Sequence, residues 1–453
     1  MKDFNELEKM LDEKRFRLLH DELAEENSAD IAALLETVPI EKAVLLFRML
    51  PKDLAAKAFA DLFSEVQQSL VERLSDKEIF NVIEELFLDD AVDFIEEMPA
   101  SIAKKVLAYA TPETREQINH LLKYPESSAG SIMTVEYVNL KRRMTVAQAF
   151  DRIRETGLDK ETVYICYVTD SERRLKGVVS VKTLLLSQPE QVINDIMETN
   201  LIITRTDADQ EEIARLFEKY DLLSIPVIDS EDRLVGIITV DDIVDVVQEE
   251  ATEDFQIMAA MTPSDKPYLK TGVARLATNR IVWLFVLMVA AMVTGGILEK
   301  FEKAIRAMPI LTVFIPMLMD TGGNSGSQSS TLIIRGMALS EITPRDFFKV
   351  VWKEMRVGLM VGVILSSINF LRVWLTYTSN PEYGAEVMKI AGTVSATLLF
   401  TVVVANLVGG VLPIIAKKCK IDPAVMAAPL ITTIVDALSL IVYFSLAAIL
   451  LGI

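Results

Sequence analysis

Cysteine and histidine are almost missing from this sequence. Its 453 residues include two cysteines, Cys166 and Cys419, and two histidines, His20 and His120. Two cysteines exclude a disulfide framework, and so few cysteines and histidines exclude a zinc-binding set. The histidines are far apart in the sequence, and we expect each to be an ordinary surface residue. Residues 1–12 are polar and helical in character, so we also expect no cleavable signal peptide and a cytoplasmic soluble part.

Catalytic motifs and positive charge are scarce as well. The sequence has no P-loop, no recognisable pair of nucleophile and base, and no metal-cluster spacing, so we expect no enzyme activity. Residues 1–270 hold 55 Asp and Glu against 31 Lys and Arg, a net charge of −24. This charge argues against a nucleic-acid partner, because phosphate binding needs a basic face, and it suits cations.

The rest of the chain has the opposite character. Residues 271–453 hold 10 acidic and 15 basic residues, a net charge of +5, among long apolar stretches. A chain of 453 residues is also too long for one compact core. The sequence therefore predicts a multi-domain protein in which an acidic soluble part precedes an apolar, slightly basic part.

The soluble part divides into two regions by the period of its apolar residues. Residues 1–128 show helical spacing, and short units end before Pro39, Pro51 and Pro99, which predicts an all-α superhelical N-domain. Residues 129–248 are rich in β-type residues, and VTDSERRLKGVVSV from Val168 recurs as VIDSEDRLVGIITV 59 residues later. Each copy predicts a strand, a turn, a strand and a helix.

This repeat resembles a tandem pair of CBS modules, with bounds of 129–190 and 191–248; another duplicated α/β unit is the alternative. An acidic connecting helix is predicted over 241–270. Its acids recur mostly three and four residues apart, so many share one face and repel each other unless a cation lies between them. A solvated helix face is the alternative interpretation.

Five apolar segments predict an α-helical membrane domain over 271–453, because a spanning helix needs about 20 mostly apolar residues. They are Ile281–Leu298, Ala307–Ile334, Val357–Thr378, Ile390–Ala416 and Pro423–Ile453. Basic clusters before the first span, between the second and third and between the fourth and fifth all fall on one side, which we assign to the cytoplasm. The N-terminus is then cytoplasmic and the C-terminus outside.

Two polar features lie inside these spans. The run Thr321–Gln328 contains glycines with small polar residues, which predicts a pore lining; a small-residue packing face is the alternative. Asp436 shares a helical face with Thr432 and Ser439, and Asp320 is a second acid within a span. No Lys or Arg occurs within 423–453, so acids without matching bases indicate a cation path, with an ion pair to Arg372 as the alternative.

Oxygen ligands favour a hard cation. Mg²⁺ is bound through one or two carboxylates and retained waters, and no Cys or His lies near these acids to serve zinc or copper. Ligand type alone leaves calcium and manganese open.

Taken together, these motifs resemble the MgtE-type magnesium channels over nearly the whole chain. The residues that carry the resemblance are Pro316, the run Gly322-Gly323-Asn324-Ser325-Gly326-Ser327-Gln328, the run Asp422-Pro423-Ala424, Asp436 and the run Ala251-Thr252-Glu253-Asp254. The resemblance implies a homodimer in the cell inner (plasma) membrane that takes up Mg²⁺ through a pore between its two membrane halves. Asp436 would hold hydrated Mg²⁺ there, and Asp422 and Asn324 would help line the path.

The resemblance also implies regulatory Mg²⁺ sites between the N-domain, the CBS modules and the connecting helix, which close the pore when cytoplasmic Mg²⁺ is high. Their implied ligands are Asp89, Asp93, Asp209, Glu211, Asp221, Asp242, Asp245, Glu250, Glu253 and Asp254. ATP is implied as a modulator at the CBS modules, without an assigned site. The alternative function is a CBS-regulated secondary transporter of another divalent cation, Mn²⁺ or Co²⁺, in which Asp320 and Asp436 would relay protons.

Overall fold

The computed structural model describes residues 4–264, 268–269, 271–378 and 386–452. The chain separates into two compact units, Met1–Val247 and Gln248–Ile453. Each unit has its own buried core, and each is described here by itself.

The first unit begins with a stack of short helices. They are α1 Phe4–Asp12, α2 Phe16–Leu23, α3 Ser28–Thr37, α4 Ile40–Phe47, α5 Lys52–Ala60, α6 Ser64–Val71, α7 Asp76–Glu85, α8 Leu88–Glu97, α9 Ala100–Tyr109 and α10 Pro112–Leu121. Pro39, Pro51 and Pro99 immediately precede α4, α5 and α9, because proline stops the preceding helix and presets the backbone for the next. Helix α3 packs on α5, α5 on α7 and α7 on α9, which confirms the superhelical N-domain.

Two small sheets of identical topology follow. The first contains β1 Tyr137–Lys141, β2 Thr162–Thr169 and β3 Leu175–Ser180, and the second contains β4 Thr204–Arg205, β5 Ser224–Ile228 and β6 Leu234–Thr239. In each sheet the first two strands are parallel and the last two antiparallel. The helices between them are α11 Val146–Thr156, α12 Val181–Leu186, α13 Ile193–Ile196 and α14 Gln210–Tyr220. The predicted strand–turn–strand–helix repeat is confirmed.

The two repeats exchange backbone contacts. Thr134, which leads into the first repeat, pairs with Ile237 in β6 of the second, and Glu198 of the second repeat pairs with Val178 in β3 of the first. Each sheet is therefore completed by a segment from the other repeat, which explains why the modules form a pair.

The acidic connecting segment is shorter than predicted. It forms one helix, α15 Val240–Met258, rather than a helix over 241–270. The chain leaves the helix at Ala260, whose φ of 53° lies in the left-handed region. Within the predicted range, residues 265–267 and 270 lie outside the described part of the chain.

The second unit is a bundle of long helices. They are α16 Val273–Lys300, α17 Glu302–Ala307, α18 Ile315–Ala338, α19 Phe347–Tyr377, α20 Val387–Lys418 and α21 Ala428–Leu451. Among the described residues, four of these, α16, α19, α20 and α21, are long and apolar enough to cross a membrane. Helix α18 has 24 residues, but its glycine and small polar residues make it less apolar, so the count of five spans stays a prediction.

Two predicted span starts are wrong by several residues. The second span was expected from Ala307, but a 3₁₀ segment, Pro309–Phe314, precedes α18 at Ile315. The fifth was expected from Pro423, but Pro423–Met426 forms another 3₁₀ turn and α21 begins at Ala428. Apolar composition continues through both turns, so hydropathy alone could not separate them from the helices.

Helices α18 and α20 approach each other until their backbones touch. A Cβ atom added to Gly409 of α20 would lie 2.1 Å from the carbonyl oxygen of Gly326 in α18. A backbone atom cannot move aside as a flexible side chain can, so this crossing requires glycine at Gly409.

We expect Gly409→Ala to destabilise the second unit by about 1–3 kcal/mol, the usual cost of overpacking. Thermal unfolding of the full chain in detergent measures the effect. Gly392→Ala is the matched control, because Gly392 lies in the same helix and has nothing within 4 Å of an added Cβ. Equal melting temperatures for the two variants would contradict the close approach.

Candidate functional site

An acidic cluster in the first unit is built from α8, the segments before β1 and β2, and the start of α15. Asp89 and Asp90 lie in the first turn of α8, and Asp89 is only 8% exposed. Glu136 accepts hydrogen bonds from the Leu88 N–H at 3.3 Å and from the Thr134 hydroxyl at 2.7 Å, so it caps the same helix end. Asp242 accepts from the Thr239 hydroxyl at 2.6 Å. Local hydrogen bonds therefore hold the carboxylates of Glu136 and Asp242 in place.

These carboxylates raise each other's proton affinity. Burial, followed by the charge of Asp90, holds the pKa of Asp89 well above its usual range. Burial and the Asp242 charge raise the pKa of Asp90 to about 7, and burial and Asp241 raise that of Glu161 to about 7. Burial raises the pKa of Asp242 to about 6, although its bonds to Thr239 act the other way. The cluster therefore carries more negative charge than its surroundings compensate.

The arrangement suits a hydrated cation better than a bare one. Within the described residues, no three His, Cys, Asp or Glu side chains form a ready metal-binding group. Mg²⁺ does not need one, because it commonly keeps several waters and contacts the protein through one or two carboxylates. Water between the ion and the surrounding acids would bridge elements whose side chains do not meet directly.

The structure brings together four of the regulatory residues predicted from sequence. Asp89 and Asp242 lie in the acidic cluster. Asp93, whose side chain is exposed, is close enough to the cluster for desolvation and the charges of Asp90 and Asp242 to raise its pKa. Asp245 lies one turn beyond Asp242 on α15, and burial and the charge of Asp241 raise its pKa.

The other predicted ligands are not gathered there. Asp209 and Glu211 lie at the start of α14, where the Asp209 carboxylate accepts from the Glu211 N–H at 2.8 Å and Glu211 pairs with Arg215. Asp221 ends the same helix in a left-handed conformation, so it lies at the opposite end. Glu250, Glu253 and Asp254 lie on the part of α15 that belongs to the second unit. Metal-binding roles stay predictions for these six residues, as they do for the four above.

Sequence reasoning missed Asp90, Glu136 and Glu161. Asp90 stands inside the Asp-Asp-Ala-Val-Asp run already chosen, so its selection needed only the full motif. Glu136 and Glu161 precede the paired strands β1 and β2 and meet through a backbone bond between them, 3.0 Å from the Glu161 N–H to the Glu136 carbonyl. They are 25 residues apart, and no periodic pattern signals such a pairing.

A cavity of about 460 Å³, lined by both polar and apolar residues, lies between α18 and α21 in the second unit. Asp320 and Asn324, four residues apart on α18, face Thr432 and Asp436, four residues apart on α21. Gly323 brings the helices close, because an added Cβ would lie 3.0 Å from the Thr432 methyl group. The cavity thus presents two carboxylates, an amide and a hydroxyl, which are oxygen ligands for a hard cation.

The Thr321–Gln328 run combines the two interpretations considered from the sequence, a helix-packing face and a lining of polar side chains. It is continuous helix rather than exposed irregular backbone, and Gly322 and Gly326 pack against α20 and α21, as the packing alternative predicted. Asn324 and Asp320 face the cavity, so one helix uses glycines for packing and polar side chains for lining.

Three other residues considered from the sequence, Asp422, Ser439 and Arg372, lie outside this cavity. Asp422 is exposed and accepts from the Ala424 N–H at 2.8 Å, outside the residues that line this cavity. Ser439 is buried beside Gly322 instead of facing the cavity. Arg372 donates to Asn369 and lies over Phe314, and within the described residues it forms no ion pair with Asp436.

Comparison with protein families matches most of the chain. The MgtE intracellular N domain matches residues 26–127, and CBS domains match 129–190 and 193–249. The MgtE divalent cation transporter family matches residues 315–446.

Relatives and solved structures agree with these matches. The chain is 37% identical to the magnesium transporter MgtE of Thermus thermophilus over 98% of both chains. It is 31% identical to MgtE of Bacillus subtilis over 95% of this chain and 93% of the relative. Its first part resembles the crystal structure of the cytosolic domain of the Mg²⁺ channel MgtE in complex with ATP, with 37% identity and a TM-score of 0.52, covering 54% of this chain and all of that one.

The fold, the acidic cluster, the membrane cavity and this full-length similarity lead to one conclusion: the chain belongs to the MgtE family of magnesium transporters.

Proposed function

We propose that this protein is a Mg²⁺-selective channel that cytoplasmic Mg²⁺ closes. The observation that supports the pore is the α18–α21 cavity, where Asp320 and Asp436 lie without a basic partner among the described residues. In a membrane such acids need compensation, and a hydrated Mg²⁺ supplies it while it passes. A homodimer would place two such cavities on one axis, with Asp436 binding the ion and Asn324 and Asp422 along the path.

The membrane potential is sufficient to drive entry. It contributes about 2.3 kcal/mol per charge per 100 mV, hence about 4.6 kcal/mol for a divalent ion, roughly a thousandfold gradient. Passive entry of this size needs feedback. With the first unit in the cytoplasm of a plasma-membrane protein, its acidic cluster would sense the ion that enters.

The acidic cluster supplies a mechanism for that feedback. Bound Mg²⁺ would bridge α8 and the start of α15 and favour one arrangement of the connecting helix. Without Mg²⁺, repulsion between the same carboxylates would favour another. A ligand shifts a conformational equilibrium only when it binds one state better, and a bridging site has that property. The ATP complex of the related cytosolic domain supports adenine nucleotide as a further modulator.

A coupled transporter of Mn²⁺ or Co²⁺ is the second candidate, since oxygen ligands also accept these ions. Asp320 and Asp436 face one cavity from two helices, as a proton relay would require. Uptake that follows a pH gradient without carrying current would favour this candidate.

Asp436→Asn should reduce Mg²⁺ current by at least about tenfold, because the ion loses a charged ligand and 1.4 kcal/mol is tenfold. Patch-clamp recording from the full chain in lipid, with Mg²⁺ as the charge carrier, measures this. Glu302→Gln is the control, since Glu302 is exposed and pairs with Arg306 on α17. Unchanged Mg²⁺ current in a well-folded Asp436→Asn protein would rule out this pore.

Neutralising the sensor should weaken closure without blocking the pore. For the double variant Asp90→Asn and Asp242→Asn, we expect at least about tenfold more cytoplasmic Mg²⁺ at half-closure, because two charged contacts to the ion are lost. Currents recorded at stepped internal Mg²⁺ give this value. Asp151→Asn, which removes an exposed carboxylate paired with Arg154, is the control. Identical closure curves for the double variant and wild type would exclude bridging at this cluster.

Without divalent cations, the acidic cluster should become less stable as pH rises from about 6 to about 8. The pKa values of Asp90 and Glu161 are raised to about 7 in the folded chain. The folded state therefore binds more protons than the unfolded state, and its stability falls as they are released. The protection factors of the α8 amides in the full chain, corrected for base-catalysed intrinsic exchange, should fall over this range, and Mg²⁺ at pH 8 should raise them again. Protection factors independent of pH and Mg²⁺ would contradict the prediction.

A further inference from the structure

The second unit contains another cavity, of about 640 Å³, lined by a different set of α18 residues from the first. It lies between α18 and α19, and α20 contributes Asn406. Ser325, Ser329, Glu354 and Asn406 form its floor, and none of these residues lines the Asp320–Asp436 cavity. The transport path proposed above therefore makes no use of them.

Glu354 is the unusual residue of this floor. It is 8% exposed, and its carboxylate accepts a hydrogen bond from the Ser329 hydroxyl at 2.8 Å. Gly410 makes room for it, because a Cβ there would lie 2.9 Å from the Glu354 side chain. Within the described residues, no Lys or Arg forms an ion pair with Glu354. A buried carboxylate with one hydroxyl donor still needs positive charge nearby.

The walls of the cavity have a different character from its floor. Lys349 and Lys353 line the rim and are exposed, and Lys349 also pairs with Asp346 at 2.7 Å. Leu332, Val357 and Val361 line the same cavity and are 70%, 41% and 37% exposed. In a membrane protein, exposed apolar side chains on spanning helices face lipid chains. The rim also carries the acids Glu341 and Asp346, and among the described residues Lys353 forms no ion pair. The cavity thus combines a buried acid, a rim of mixed charge with two lysines, and an apolar opening.

We propose that this cavity binds the headgroup of a phospholipid with a primary amine, of the phosphatidylethanolamine type. Its ammonium group would donate to Glu354 and to neighbouring oxygens on the floor, and its phosphate would lie near Lys349 and Lys353. The acyl chains would run along Leu332, Val357 and Val361. One ligand then contacts the buried acid, the lysines and the apolar side chains of the same cavity.

Other ligands match only part of the cavity. A choline headgroup carries no N–H donor and is too bulky to approach a carboxylate held beside Ser329. An anionic lipid without an amine would engage the lysines and leave Glu354 uncompensated. An inorganic cation would compensate Glu354 but would not use the lysines or the apolar opening.

Native mass spectrometry of the purified full chain, delipidated and then titrated with phosphatidylethanolamine, phosphatidylcholine or phosphatidylglycerol, tests the proposal. We expect wild type to bind phosphatidylethanolamine about tenfold more tightly than phosphatidylcholine, since only the ethanolamine headgroup can donate a charge-assisted hydrogen bond to Glu354. Glu354→Gln should lose most of this preference, because it keeps the shape and removes the charge. Glu341→Gln is the matched control, since Glu341 is an exposed acid on the same cavity.

Equal binding of phosphatidylethanolamine and phosphatidylcholine by wild type would overturn the proposal, and this comparison needs no variant. A preference retained in Glu354→Gln would also overturn it, because the ammonium would then bind elsewhere. A third contrary result would come from inorganic cations. If Na⁺ or Mg²⁺ protected wild type but not Glu354→Gln from thermal unfolding, and wild type showed no headgroup preference, the cavity would bind an inorganic cation instead of a lipid. Loss of the preference in Glu354→Gln and its retention in Glu341→Gln would support the assignment.

Discussion

Carboxylates without basic partners are the constraint on which both units of this protein depend. In the first unit, burial and the charges of neighbouring carboxylates oppose the ionisation of Asp89, Asp90 and Asp242. In the second, Asp320 and Asp436 share a cavity without a Lys or Arg partner among the described residues. A fold can keep such groups when a mobile cation balances them, so the missing base links the structure to the family's transport function.

Close backbone packing makes the membrane cavity possible. The missing side chain of Gly409 in α20 leaves room for the carbonyl of Gly326 in α18, and that of Gly323 leaves room for Thr432 in α21. Helix α18 therefore packs closely against two neighbouring helices. The polar residues between these glycines then have defined directions: Asn324 faces the α21 cavity, and Ser325 faces Asn406 on α20, its hydroxyl 2.5 Å from the amide oxygen. Small residues thus determine position, and the polar residues between them determine chemistry.

Much of the fold was predictable from the sequence because its signals are periodic. The helix-then-proline units, the repeat near Val168 and the apolar spans each follow a rule of local spacing. The helix after Ala307 and the span start at Pro423 were misplaced, because 3₁₀ turns of apolar composition look like helix. Glu136, Glu161 and Glu354 were missed for another reason. Their roles arise when distant segments meet, and a single carboxylate in a sequence does not show which segment will cover it.

On the proposed function, the two groups of acids would have separate tasks. The acids around α8 have raised proton affinity, so ion binding there would change the relative stability of two arrangements. Asp320 and Asp436 lie on helices that glycines lock to their neighbours. A permeation site needs this rigidity, because an ion that must leave again cannot be bound by a cavity that closes around it. A sensor needs the opposite property, since a site that is equally good in both states shifts nothing.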